Sequence, residues 1–294
     1  MAGQMRIWWE AARPKTLPAA IIPVMLGTAL AEAHNAERLA KAIICLGFSL
    51  LVQIGTNFAN DYFDFIKGAD TAERVGPRRA VAAGLVTPAR MLLATSILFG
   101  AAFLLGLLLV REGGWVLLPI GVISILCGLA YTGGPYPLGY NGLGDLFVFI
   151  FFGLVAVGAT FYVQTHRITA DVLMVGSAVG LLAANILVVN NYRDAETDAR
   201  AGKRTLVVRF GRTAALYQYA ISMGLALLCP IALQFAGYGW QVLLPLILIP
   251  GAVIYTRRLA ASRDAGEQIA LLGATARYLA AYGLLLTVGL VTGT

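Results

Sequence analysis

Charge is scarce in this sequence. Asp, Glu, Lys and Arg make up 13% of its 294 residues, about half the roughly 25% of an ordinary soluble domain. Cysteine occurs only at Cys45, Cys127 and Cys229, each inside an apolar run and none spaced as C-x-x-C. That argues against a disulfide framework or thiolate zinc site and leaves them as small core residues of apolar helices. Histidine occurs only at His34 and His166, both far from the acidic motifs described below, so neither is assigned a role. Strand-like alternation is absent, which argues against a β-barrel. Gly142 and Gly144 make no dinucleotide fingerprint, because no strand–turn–helix unit surrounds them.

What is abundant is hydrophobic residues, at 59%, in runs of about 20 that recur from end to end, as transmembrane helices require. The fold class is therefore an all-α polytopic membrane protein. Nine spans are expected, near 17–33, 40–60, 89–110, 115–132, 143–163, 171–191, 214–236, 240–256 and 270–291. Before them, Trp8, Trp9, Arg13, Pro14 and Lys15 read as an interfacial lead-in. Ala29-Leu30-Ala31 has the form of a signal-peptidase site, but the long Trp- and Pro-bearing region ahead of it argues against a cleaved leader. The net charge of +7 needs no nucleic-acid partner, since the basic residues lie in short loops. Of the 22 Lys and Arg, only Arg38, Lys41, Arg111 and Arg167 fall on the side opposite the N-terminus. By the positive-inside rule the N-terminus is cytoplasmic and the C-terminus outside.

Two stretches interrupt the apolar pattern, Asn57 to Asp70 (NFANDYFDFIKGAD) and Asn190 to Thr205 (NNYRDAETDARAGKRT). In each, a span ends in Asn and Asp. At about 100° per helical residue, Asn57, Asn60, Asp61 and Asp64 share an arc of about 100°, as do Asn190, Asn191, Asp194 and Asp198. Carboxylates at a membrane helix mouth are expensive, about 2.5–3.5 kcal/mol each at mid-bilayer. A divalent cation carrying a phosphorylated ligand would satisfy them. Mg²⁺ suits an all-oxygen set of one or two carboxylates plus phosphate oxygens. Basic residues follow each cluster: Lys67, Arg74, Arg78 and Arg79, then Arg193, Lys203 and Arg204, a pairing that suits a diphosphate. Plain hydration of helix ends and the positive-inside bias are the competing explanations. Between spans four and five, Tyr131 to Asp145 (YTGGPYPLGYNGLGD) reads as a turn-rich lid in which tyrosines and Asp145 line an aromatic pocket, or as a purely structural loop. The motif spacing also suggests an internal duplication of about four helices within a single domain, 1–294.

At these motifs the sequence resembles the UbiA superfamily of intramembrane prenyltransferases. Asn60, Asp61 and Asp64 match its N-D-x-x-D motif, although the usual third acid is Gly68 here and Asp70 comes two residues later. Asp194, Asp198, Gly202, Lys203 and Arg204 match the second motif. Within the superfamily, RPKTLPAAIIPVMLGTA, NDYFDFIKGADT, GPRRAVAAGLVTP and the two stretches around Tyr131 and Asn190 are similar to the 1,4-dihydroxy-2-naphthoate polyprenyltransferases of menaquinone synthesis. The resemblance implies a helix bundle around a central cavity open to the cytoplasm, with a lateral route to lipid. It implies Mg²⁺-dependent transfer from polyprenyl diphosphate to an aromatic acceptor with loss of carbon dioxide, in the plasma (inner) membrane. Asp61, Asp64, Asp194 and Asp198, supported by Asn57, Asn60, Asn190 and Asn191, would hold the metal. Lys67, Arg78, Arg79, Arg193, Lys203 and Arg204 would hold the diphosphate. Lys15, Tyr131, Tyr140 and Asp145 are candidates near the acceptor, with Asp64 and Asp198 central to catalysis. Other acceptors (4-hydroxybenzoate, homogentisate, haem or a lipid) and, more remotely, a divalent-ion carrier or a structural scaffold compete with this reading.

Overall fold

The computed structural model describes residues 2–36, 38–70, 76 and 78–293; Arg74, one of the basic residues singled out above, lies outside them. Among the described residues every regular element is helical. In chain order they are α1 (Ala2–Ala12), a 3₁₀ turn (Pro14–Thr16), α2 (Pro18–Ala33), α3 (Leu39–Ile66), α4 (Pro88–Gly113) and α5 (Leu117–Ala130). Next, α6 (Gly144–Val148) runs through a π-helical stretch (Phe149–Val155) into α7 (Ala156–Thr165). The chain ends with α8 (Ala170–Arg200), α9 (Leu206–Phe235), a 3₁₀ stretch (Trp240–Leu248) continuing into α10 (Ile249–Ala261), and α11 (Ala265–Thr292).

Local chemistry marks the boundaries. Thr87, Thr205 and Asp264 each cap a helix by accepting the backbone N–H three residues on, which satisfies one of the orphan donors of a first turn. Pro88 follows Thr87 at the first helical position, where a missing N–H costs nothing.

The expectation of nine full spans is reduced. Among the described residues, seven helical segments are long and apolar enough to cross a membrane, and an eighth qualifies only if the pair Gly3–Thr16 and Pro18–Ala33, bent by 55°, counts as one span. The remaining apolar helix, α5, has 14 residues, about 21 Å at 1.5 Å per residue and short of a hydrocarbon core of about 30 Å. Large apolar side chains stand exposed on the outer helix faces, among them Ile97, Leu104, Ile221 and Leu228. Such a surface is unfavourable in water and at home in lipid. The chain is a multi-pass membrane protein.

At the centre is α8, the most enclosed of the apolar helices. It packs on α9, α11 and the π-helical stretch. Leu26, Phe161, Val179, Leu182, Tyr219 and Leu286, from five helices, meet in one core around it. Glycine permits the closest approach. A Cβ on Gly153 would stand 2.3 Å from the Gly176 carbonyl oxygen and 2.7 Å from the Gly180 Cα. Small residues let helix backbones pack directly in a membrane, where apolar burial gives little drive.

At the end of the bundle remote from the acidic motifs, His34 Nε2 lies 2.8 Å from Asp171 and Arg167 lies 3.0 Å from His34 Nδ1. The Tyr238 hydroxyl donates to the same Asp171 carboxylate. Three interhelical loops are thereby pinned together, which accounts for one of the two histidines.

A G153V substitution should destabilise the fold by about 2–3 kcal/mol, because backbone atoms cannot move aside as side chains do. G100A, where a Cβ meets nothing within 4 Å, should be neutral or slightly stabilising. Thermal unfolding of both variants in detergent checks this; equal melting temperatures would contradict the packing described.

Candidate functional site

The two acidic motifs end their helices in the same way. Gly68 and Gly202 each have positive φ, 66° and 74°, and each follows a key aspartate by four residues. The Ala69 N–H returns to the Asp64 carbonyl at 2.9 Å, and the Lys203 N–H to the Asp198 carbonyl at 2.8 Å. This is a helix stop with a left-handed glycine, a conformation that costs other residues a steric penalty. Gly68 therefore occupies the position of the expected third acid for a backbone reason. Asp70, two residues later, still reaches the site, with its Oδ1 3.4 Å from Arg79 Nε.

The helix ends meet. Lys203 Nζ lies 3.6 Å from both Asp64 Oδ1 and Asp198 Oδ1, so one ammonium bridges carboxylates from α3 and α8. Arg79 Nη2 donates to Asp64 Oδ2 at 3.0 Å, and the Tyr140 hydroxyl donates to Asp64 Oδ1 at 2.7 Å. The Tyr140 ring carries Lys67 at 5.0 Å and Lys203 at 4.7 Å from its centroid, within cation–π range. Burial pushes the Tyr140 hydroxyl well above the ordinary phenol pKa, and the neighbouring Asp64 charge adds to it. Tyr140 is therefore held protonated, as a donor. Tyr131 is also shifted upward, first by burial and then by Asp145, Asp64 and Asp198. Burial moves the Lys67 ammonium downward, with Asp64 opposing.

Carbonyls of the Tyr131–Asp145 loop fasten it to the second motif and to the start of α9. Arg204 N donates to Tyr140 O at 2.7 Å and Arg209 Nη2 to Asn141 O at 2.8 Å. Lys67 Nζ donates to Thr132 O at 2.6 Å, and the Thr132 hydroxyl to Asn60 Oδ1 at 2.8 Å. The loop thus locks onto both motifs at once, which its Gly and Pro content alone did not reveal.

These groups form the polar end of a cavity of about 320 Å³. Asn57, Asn60, Asp64, Arg79, Tyr131, Tyr140, Asn190, Asn191, Asp194, Asp198 and Lys203 all line it. Away from that end the wall turns apolar, with Phe48, Ile120, Phe147, Phe151 and Phe152.

Other expected site residues are placed differently. Asp61, expected as a metal ligand, is absent from the cavity wall. Its oxygens accept the backbone N–H groups of Ala80 at 2.9 Å and Val81 at 3.1 Å, so this buried carboxylate holds the 78–86 segment against α3. Arg193, expected on the diphosphate, grips Asp194 through Nε at 2.7 Å and Nη2 at 2.6 Å and also donates to Asn190 at 3.0 Å. It braces the wall from behind. Asp145 accepts from Gln218 at 2.9 Å and is not on the wall. Lys15, Arg78 and Arg204 are exposed, and these three and Lys67 lie off the cavity lining. Asn57 lines the cavity yet also donates to Ala12 O at 3.0 Å, tying α1 to α3.

Sequence reasoning missed Arg13, Thr132 and Thr197, which line the cavity. Arg13 sits in a left-handed backbone conformation, φ 54°, unusual for a non-glycine residue. It was legible only as an interfacial basic residue. Among the described residues no three His, Cys, Asp or Glu side chains cluster closely enough to hold a metal by themselves.

The model of the UbiA prenyltransferase family matches residues 20–290. A 1,4-dihydroxy-2-naphthoate octaprenyltransferase from Haemophilus influenzae is 34% identical over 99% of this chain and 97% of its own length. One from Mycobacterium tuberculosis is 46% identical over 72% of this chain and 73% of its own. Among solved structures, a UbiA homologue from Archaeoglobus fulgidus bound to DMAPP and Mg²⁺ superposes with a TM-score of 0.69, at 16% identity, over 96% of this chain and 99% of that one. With its family match running through α2 to α11 and both acidic motifs meeting at one cavity, the chain belongs to the UbiA prenyltransferase family.

Proposed function

We propose that this protein transfers a polyprenyl group from polyprenyl diphosphate to 1,4-dihydroxy-2-naphthoate, with loss of carbon dioxide and release of diphosphate, to give demethylmenaquinol, the reduced form of demethylmenaquinone. The observation that carries the reading is the convergence of Asp64 and Asp198 on Lys203 at the polar end of an otherwise apolar cavity. The choice of acceptor is supported by the similarity to naphthoate octaprenyltransferases over nearly the whole chain. The chain works as one catalytic domain, 1–294.

A divalent metal fits the residues present. The donors are all oxygen, from Asp64, Asp194 and Asp198 with Asn60, Asn190 and Asn191 beside them, as Mg²⁺ prefers. A cationic group already bridges the two motifs in the form of the Lys203 ammonium, so the position favours positive charge. Among the described residues too few acids cluster to complete a metal shell, so substrate phosphate oxygens would supply the remaining ligands. When bound, Mg²⁺ would neutralise charge on the leaving diphosphate.

This chain's own groups account for the rest. Arg79 and Lys203 are placed to turn from the carboxylates to phosphate oxygens and take up the charge that grows as the allylic C–O bond breaks. Tyr140, kept protonated, holds Asp64 in position through its 2.7 Å hydrogen bond. The apolar wall excludes water from the allylic cation, which would otherwise be hydrolysed. The naphthoate ring carbon then attacks, and the ring carboxylate leaves as carbon dioxide.

The long chain needs a way into lipid. Here α5 packs on α3 and α4 and makes no comparable interface with the π-helical stretch or α7, although all of them line the cavity. That seam is the proposed lateral route. The positive-inside count supports a cytoplasmic position for the motifs and N-terminus and an outside position for the C-terminus; in this reading the protein lies in the plasma (inner) membrane, with α5 and the bent α1–α2 pair completing nine membrane-embedded segments.

D64A and D198A should each lower prenyl transfer by about 100-fold or more while the protein remains inserted and folded; full activity in either would remove the metal assignment. D61N should instead lower the melting temperature, because a backbone N–H loses its acceptor, and should leave the magnesium dependence of the remaining activity unchanged. Incubating membranes with a polyprenyl diphosphate and carboxyl-labelled 1,4-dihydroxy-2-naphthoate should yield prenylated product and labelled carbon dioxide together. Product from 4-hydroxybenzoate or homogentisate instead would reassign the acceptor.

A further inference from the structure

The cavity that begins at the acidic motifs does not stop beside them. Along α3 its lining runs from Asp64 through Asn60, Thr56 and Val52 to Phe48 and Cys45. Asp64 and Phe48 are 16 residues apart in one continuous α-helix, about 24 Å at 1.5 Å per residue. That is most of a hydrocarbon core of about 30 Å. Short α5 lines the same cavity at Leu117, Gly121, Ser124 and Gly128, one face of the helix over its whole length. At the far end Val24, Cys45, Leu117 and Val163 pack into a small core of their own and close the channel.

Phe48 stands where this channel approaches its closed end, and its ring is seated between two glycines. A Cβ on Gly106 of α4 would meet Phe48 Cε2 at 3.4 Å, and one on Gly121 of α5 would meet Phe48 Cζ at 3.7 Å. Gly106 and Gly121 line the cavity themselves, so the ring fills space that these two residues leave open. Truncating the ring would join that space to the channel. A larger side chain at position 121 would push into the channel from the opposite wall.

We propose that Phe48, in its seat on Gly106 and Gly121, sets the prenyl-chain selectivity of this site. The proposal rests on the prenyl-transfer reading above and names the part of the substrate that the protein measures. An extended chain advances about 3.3–3.6 Å per residue of three backbone atoms, hence about 4.5 Å per four-carbon isoprene repeat. About five repeats therefore reach from the acidic end to Phe48, and further repeats turn through the seam beside α5 into lipid. Moving a tail from lipid into an apolar channel yields little transfer free energy, since lipid is as apolar as the wall. Selectivity must then come from fit. In an apolar pocket one methylene too many or too few changes specificity by about tenfold or more. A chain that ends short of Phe48 leaves the channel partly empty, whereas one that reaches it packs against the ring.

The test gives the full chain in nanodiscs an equimolar mixture of farnesyl, geranylgeranyl, hexaprenyl and octaprenyl diphosphates, with magnesium and 1,4-dihydroxy-2-naphthoate. Mass spectrometry reads the ratio of products, which does not depend on how much active protein survives a substitution. In the unaltered protein the hexaprenyl and octaprenyl products should form equally and exceed the farnesyl product. G121L, which shortens the channel, should move the ratio about tenfold toward farnesyl. F48A, which lengthens it, should favour octaprenyl over hexaprenyl, and F48L should shift the ratio less in the same direction. A ratio unchanged by G121L and F48A, or moved the same way by both, would overturn the proposal. Displacement of a fluorescent farnesyl diphosphate by the same series, with no acceptor present, reads the channel alone. Chain preference in binding that shifts with both substitutions while no transfer occurs would sink the enzyme reading and leave Phe48 in its role. Transfer with a ratio insensitive to both would do the reverse.

Discussion

Everything at the polar end of the bundle depends on one ammonium group. Lys203 stands between Asp64 of α3 and Asp198 of α8, 3.6 Å from each, and lies against the Tyr140 ring. Without a cation there, two carboxylates from separate helices would face each other in a poorly hydrated cavity, and their repulsion would be weakly screened. With it, the helix ends are drawn together and the loop carrying Tyr140 is drawn onto them. The same geometry explains how a substrate can compete. On the proposed reading, a phosphorylated ligand arriving with a divalent cation would replace the lysine's attraction for the acids and in turn offer its oxygens to the lysine.

Around that point the structure separates acids that look equivalent in the chain. Asp64 and Asp61 are one helical turn apart, yet Asp64 faces the cavity and Asp61 accepts two backbone N–H groups of the 78–86 segment. Asp194 and Asp198 differ similarly, Asp194 being held by both arms of the neighbouring Arg193 and Asp198 meeting Lys203. A buried carboxylate must have its charge met by donors or a cation, and these four find different solutions within a few ångströms. Basic residues divide the same way: Arg79 and Lys203 reach the cavity, Arg193 supports its wall, and Arg78 and Arg204 remain in solvent.

How much of this was legible beforehand follows from what each feature depends on. The helical membrane architecture was readable because apolar run length is a property of the chain alone, and Asn57 to Asp70 and Asn190 to Thr205 stood out because acids at membrane helix ends are costly wherever they occur. Short α5 read as a full span because its apolar pattern extends beyond the residues that hold helical backbone geometry. The helix-ending glycines, Gly68 and Gly202, were visible as residues but not as paired stops, since only the backbone shows the left-handed turn. Which aspartate would face the cavity, that Arg193 would turn back on Asp194, and that Arg13 would line the site were decided by the tertiary structure. An arc of about 100° on a helix contains a cavity-facing side and a loop-facing side, and only the neighbours packed against it determine which is which.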